Sequence, residues 1–283
     1  MHKHPYFDLY LHDDQELAAH IGGEIVAREM LHEWPLSCVE RIATARRQWI
    51  YKCQFGPTVE AVFYAFARSD LLTPTQTLYQ ADGYTCTLRE YVDAPLIEDL
   101  DLSEAQALSI TRQVRAKMDK IEGHLPYLYD IRTAESWLSL VGGTLGNIAG
   151  LIERKTYTQT TPDMVADLRE WAHSEGVLQA VQRKPGYVHG DFTGDNLFVL
   201  GEGDYRVIDW QRPFYGPTEL DLASMIGSLE FDPLKVVGPS ILQIRSFMLI
   251  RWFTVCAVRW FPDGTETYDG FTAEHTAKIR SLV

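Results

Sequence analysis

The stretch from residue 187 to residue 210 constrains this chain more than any other. It reads Tyr187-Val-His189-Gly190-Asp191-Phe-Thr-Gly-Asp195-Asn196-Leu-Phe198, then a glycine-rich turn at 201–204, then Tyr205-Arg-Val-Ile-Asp209-Trp210. Apolar residues flank both polar clusters, so the segment reads as strand, turn, strand, holding Asp191, Asn196 and Asp209 around a common point. Asp, Asn and Gly are turn formers, and the first cluster alone is compatible with a polar loop between strands. The full spacing narrows this: His-x-Asp-x4-Asn, then a strand ending Ile-Asp-Trp whose Asp lies 18 positions after Asp191.

Around this block the chain changes texture near Val92. Before it, strand-like runs at 37–43 and 48–54 follow a helix expected over 14–32, whose Leu17, Ile21, Ile25 and Met30 have near-helical spacing. A helix from Thr58 to about residue 69 comes next, then two strands about the Asp82-Gly83 hairpin signal. After Pro95 helices dominate. A capping box of Ser103 and Gln106 opens the first, and Pro162 starts another. Between them, residues 125–161 carry Gly142, Gly143, Gly146 and Gly150 and read as a helical excursion with flexible joints. Further helices are expected over 177–183, 218–229, 239–260 and 272–282. The expected fold class is α+β.

Phosphoryl transfer asks a protein for positioning and charge neutralisation rather than covalent chemistry. Mg²⁺ takes hard oxygen ligands, typically one or two carboxylates completed by substrate phosphates. Asp209 and the Asn196 side-chain oxygen supply such ligands. Asp191 is a second carboxylate, suited to take or orient the proton of an attacking hydroxyl. The spaced motif, with Gly216-Pro217-x-x-x-Asp221-Leu222-Ala223 downstream, resembles the aminoglycoside phosphotransferase/choline kinase family.

That resemblance implies a two-lobed protein-kinase-like fold. Residues 1–92 would be a small nucleotide-binding lobe, with an antiparallel sheet and a helix. Residues 93–283 would be a larger, mostly helical lobe for catalysis and substrate binding. It implies a small-molecule O-kinase using ATP (or GTP) and Mg²⁺, with Asp191 catalytic and Asn196 and Asp209 on the metal. His189 would organise the catalytic loop and Asp221 brace it. Lys52 would grip the nucleotide phosphates, paired with Glu60, with Glu40 as a competing partner. The linker from Glu90 through Tyr91 to Val92 would bind the base through main-chain groups. The turn at 43–47 has no glycine, which alters the phosphate-covering loop of protein kinases, and Arg46 and Arg47 there face phosphate or solvent. One strand is visible before the Lys52 strand where two are expected. Asp195 reads as a solvated turn carboxylate or a third metal ligand.

Composition removes other classes. A net charge of −13 lacks the basic footprint of a nucleic-acid or anionic-membrane binder. It would suit a cationic acceptor, which Glu230 and Asp232 could meet, although solubility alone explains such a charge. Residues 247–261 are apolar but carry Arg251 and Arg259, and are too short to span a bilayer. Four scattered cysteines without a CxxC pair, and no apolar leader, point to reduced thiols in the cytoplasm. The pair His2 and His4 reads as a solvated terminus rather than a metal site. There is no Asp-Phe-Gly, no Ala-Pro-Glu and little chain between Asp209 and Asp221 to seat a peptide, which disfavours a protein kinase. The remaining alternative is an inactive kinase-like module that only binds nucleotide.

Overall fold

A computed structural model describes residues 1–282. The chain is α+β and falls into two compact units. One comprises Met1–Asp101, Ala116–Leu128 and Gly194–Pro213; the other comprises Leu102–Arg115, Tyr129–Thr193 and Phe214–Val283.

In the first unit, strands β1 (Ile25–Trp34), β2 (Ser37–Thr44), β3 (Gln48–Phe55), β4 (Thr75–Ala81) and β5 (Tyr84–Glu90) form one antiparallel sheet in the order β1-β2-β3-β5-β4. The helix expected over 14–32 is divided. Helix α1 (Asp14–Ile21) stops at Gly22, whose φ of 72° is the left-handed conformation a helix C-terminus favours, and Ile25 already pairs with β2. Ile25 and Met30 thus belong to a strand, and within this sheet two strands precede the Lys52 strand instead of one. The Asp82-Gly83 turn forms as read, both residues having positive φ (54° and 82°). The N-terminus is not solvated throughout: His4 is buried, with Nε2 2.8 Å from Glu33 Oε1 and Nδ1 accepting the Tyr6 and Phe7 N–H groups.

Strand alternation then places the chemistry. Tyr51 and Cys53 enter the core with Leu9, Leu11, Leu17, Cys38, Ile42, Cys86 and Leu88, so Lys52 and Gln54 turn to the other face of β3. A short helix, α2 (Glu60–Phe66), follows β3. The same unit holds the hairpin of Leu197–Gly201 and Asp204–Val207, where Leu197 pairs with Val207.

The second unit is helical apart from the strand pair Pro185–Val188 and Phe214–Pro217. Its helices are α3 (Glu104–Met118, within the unit to Arg115), α4 (Ala134–Glu153), α5 (Pro162–Ala172), α6 (Glu175–Gln182), α7 (Glu219–Ser228), α8 (Pro239–Val255) and α9 (Thr265–Ser281). Helix α8 continues as a π turn over Cys256–Trp260. By length and composition this helix could cross a membrane, yet Ile241, Ile244, Phe247 and Ile250 are fully buried in the unit's core, as a core helix requires. Trp137 lies there too, its Nε1 donating to Ala172 O at 3.2 Å.

The glycines of 142–150 are not joints. One unbroken helix, α4, runs through all four. A Cβ at Gly142 would meet nothing within 4 Å. Gly142→Ala is therefore expected to raise stability by about 0.5–1 kcal/mol through helix propensity alone. Denaturant unfolding checks this, and a loss of stability would contradict it.

Candidate active site

Gly56 (φ 106°) and Pro57 end β3, and Thr58 Oγ1 accepts the Glu60 N–H at 3.1 Å, starting α2 with Glu60 facing the sheet. Glu60 is 1% exposed and Lys52 4%. Lys52 Nζ donates to Glu60 Oε2 at 2.7 Å and also to the Asp209 carboxylate. Gln54 Nε2 reaches the same Oε2 at 2.8 Å. Glu60 Oε1 has no hydrogen bond and lies 3.9 Å from Arg89 Nη1. The competing partner Glu40 pairs with Arg28 instead. Burying ions in this way rarely stabilises a fold beyond what apolar residues would give, because desolvation offsets the attraction. A cluster of Lys52, Arg89, Glu60 and Asp209 is better understood as machinery that fixes charges in place.

Asp209 is placed by the hairpin. Ile208 N–H donates to Asn196 O at 3.1 Å, one step beyond the Leu197–Val207 pair, so Asn196 and Asp209 sit at the same open end. Trp210 anchors the exit: its ring stacks on Phe63 of α2 at 4.4 Å, and Val59 N–H donates to Gln211 O at 3.1 Å. Asp209 itself has φ 68°, a strained region for a side chain with a Cβ, and such strain gathers at functional sites. Gln211 Nε2 donates to its Oδ1 at 2.7 Å. Burial alone would raise the Asp209 carboxyl. The Lys52 charge and hydrogen bond, with Arg89 and Gln211, outweigh it and hold the group well below the usual carboxylate range. An ionised carboxylate beside an amide oxygen is a donor set that suits Mg²⁺, which completes its shell with phosphate and water. Among the described residues no three His, Cys, Asp or Glu side chains form a larger cluster of ligands.

In the second unit, Asp221 on α7 gathers the loop before Asp191. It accepts from the His189 N–H at 3.1 Å and the Gly190 N–H at 3.5 Å, and from Arg115 Nη1 at 2.6 Å. Gly190 has φ 85°, which a larger residue would resist. His189 is fully buried, and its Nδ1 accepts the Asp191 N–H at 3.3 Å. Asp191 is half-buried. Arg245 on α8 donates from Nε to Ser224 Oγ at 3.0 Å; burial lowers its guanidinium, and the Asp191 carboxylate pulls the other way. Four residues separate Asp191 from Asn196 along the chain, the unit boundary falling between Thr193 and Gly194.

The linker residues end β5. Tyr91 N–H donates to Gln48 O at 3.1 Å, and Glu90 takes Arg47 Nη1 at 2.8 Å, so Arg47 is committed to the linker. No backbone hydrogen bond engages Val92 among the described residues. The 44–47 turn joins β2 to β3. The turn joining the first two strands is Trp34-Pro35-Leu36-Ser37, which also lacks glycine. Asp195 is exposed, and Asp232 is occupied in accepting Leu234 N–H at 3.0 Å.

Sequence reasoning missed Arg89, Arg115, Gln211 and Arg245. Arg115 could have been found: it falls within the buried stripe Ala107, Thr111, Val114, Met118 of α3, where a cation demands a partner. Arg89 left no such mark, since strand residues next to a linker are often charged.

Residues 124–239, which include the whole spaced motif, match the family described as "Phosphotransferase enzyme family". Comparison with curated proteins finds no match. Among solved structures, a spectinomycin phosphotransferase in complex with ADP and spectinomycin has a TM-score of 0.61 at 12% identity, covering 96% of this chain and 99% of its own. A thermostable mutant of an aminoglycoside phosphotransferase, in ternary complex with ADP and hygromycin B, has 0.61 at 14% identity, covering 95% and 98%. A choline/ethanolamine kinase family protein from Mesorhizobium loti has 0.60 at 14% identity, also covering 95% and 98%. The resemblance is thus one of sequence over residues 124–239 and, at these identities, of fold over nearly the whole chain.

Proposed function

We propose that this chain, whose residues 124–239 match the phosphotransferase enzyme family, moves the γ-phosphoryl group of Mg-ATP (or Mg-GTP) to a hydroxyl of a small molecule. An antibiotic, an amino alcohol or a sugar-like metabolite is the class of acceptor. The observation that carries this reading is the Lys52 bridge, one buried ammonium held by both Glu60 and Asp209. Lys52 grips the nucleotide phosphates while Glu60 fixes it, and main-chain groups of Glu90 to Val92 take the base. Asp209 and Asn196 hold magnesium, which when bound neutralises charge on the phosphate oxygens. Asp191 accepts the proton of the attacking hydroxyl as its oxygen bonds to phosphorus and the nucleoside diphosphate leaves. His189 and Asp221 hold the Asp191 loop. Residues 1–92 serve the nucleotide, and 93–283 serve catalysis and the acceptor. A cytoplasmic setting suits the four free, buried cysteines.

Lys52→Met is expected to weaken nucleotide binding about 10–100-fold, the value of one charge-assisted hydrogen bond of about 1.5–3 kcal/mol. Unchanged affinity by calorimetry would remove Lys52 from the site. The reading as a whole is tested with Mg-ATP and a panel of hydroxylated amines, antibiotics and sugars. Acceptor-dependent ADP release is expected for at least one class; ADP release that no acceptor raises above the Asp191→Asn background would sink it.

A further inference from the structure

The second unit contains a cavity of about 580 Å³ bounded by residues 129–147 and 251–255, a volume within the usual range for a small-molecule site. One wall is the face of α4 on which Ser139, Gly143 and Asn147 follow at four-residue spacing. Ser139, Gly143 and Asn147 are exposed, and a Cβ at Gly143 would meet nothing within 4 Å, so the cavity is an open one that reaches the helix backbone. Tyr129, Asp130 and Arg251 also line it.

The polar groups are unequally engaged. Asp130 is taken by Arg132, with Nε at 3.0 Å and Nη2 at 2.6 Å. The Arg251 guanidinium lies 4.3 Å over the Tyr129 ring, which occupies its face and leaves its N–H edge. Among the described residues, Arg251 has no ion pair, and neither the Ser139 hydroxyl nor the Asn147 carboxamide has a hydrogen bond within the protein. One uncompensated cation in a cavity is notable in a chain of net charge −13. A planar guanidinium edge matches a carboxylate in bidentate fashion. Hydroxyl and carboxamide groups both donate and accept, as neighbouring alcohols require.

We infer that this cavity binds a small polyhydroxylated carboxylate, its carboxylate on Arg251 and its hydroxyls on Ser139 and Asn147. The inference concerns binding and stands whether or not the ligand is the phosphoryl acceptor. It reverses the cationic preference that overall charge suggests.

Calorimetric titration of the full chain with gluconate, glucose and glucosamine tests it, because the three share hydroxyls and differ in charge. Gluconate is expected to bind saturably, about tenfold or more tighter than glucose, with glucosamine weakest. Arg251→Met should remove that advantage and leave the glucose titration as it was. Gly143→Leu should fill the cavity and abolish gluconate binding while the melting temperature holds or rises, since leucine favours helix over glycine. That variant leaves the test intact if Arg251→Met fails to fold. Gluconate that does not bind at millimolar concentration, binds no better than glucosamine, or binds Arg251→Met or Gly143→Leu as it binds the wild type would overturn the inference.

Discussion

Asp191→Asn is expected to lower turnover by about 10²–10⁴-fold, the usual contribution of a positioned proton acceptor, and to leave nucleotide affinity unchanged. The carboxamide keeps the shape and one acceptor oxygen but cannot take the hydroxyl proton. The loop that carries it is held by main-chain contacts the substitution does not touch, the His189 and Gly190 N–H groups on Asp221. The nucleotide's proposed partners, Lys52 and Asp209, lie in the other unit. Steady-state rates beside a binding isotherm separate the two effects. Wild-type turnover in Asp191→Asn would show that another group takes the proton. A parallel loss of affinity would place Asp191 among the nucleotide's contacts.

The second large effect is structural. Asp221→Leu is expected to cost about 3–5 kcal/mol, because it removes one partner of a buried ion pair, the carboxylate 2.6 Å from Arg115 Nη1. Asp221 is 1% exposed and Arg115 6%, so water cannot replace the lost carboxylate. The His189 and Gly190 N–H groups lose their acceptor as well. Denaturant midpoints give the cost. The double variant Arg115→Met/Asp221→Leu should be more stable than the sum of the singles predicts, since it removes both partners of the pair together. A cost below about 1 kcal/mol for Asp221→Leu would mean the loop is braced by something else.

Much of the site was legible because its spacing is covalent. Asn196 and Asp209 flank a strand-turn-strand whose pairing the apolar flanks dictate, and the register puts Asn196 and Ile208 side by side, while Asp191 lies in the loop after Pro185–Val188, a strand that pairs with Phe214–Pro217 instead. Lys52 and Glu60 were legible as strand residue and following helix, and their pair forms at 2.7 Å. The places that resisted reading depend on longer-range choices. Periodicity alone made residues 14–32 one helix. Gly22 ends it, and pairing with β2 claims Ile25 to Trp34, a tertiary preference that overrides local spacing. The same error shifted the search for a phosphate-covering turn from 34–37 to 43–47. Arg89 and Arg245 went unread because their significance lies in which distant carboxylates face them. The glycines of α4 were misread as joints; Gly142, Gly143 and Gly146 have open surroundings on an unbroken helix, and Gly143 lines a cavity.

Asp209, held ionised by Lys52, is expected to make nucleotide binding depend on magnesium. Calorimetric titration of a non-hydrolysable ATP analogue into wild type and Asp209→Ala, each with Mg²⁺ and with EDTA, tests it most directly. Tight binding is predicted only for wild type with Mg²⁺, with Asp209→Ala alike under both conditions. Binding to wild type that ignores Mg²⁺, or to Asp209→Ala that retains the Mg²⁺ enhancement, would contradict the account.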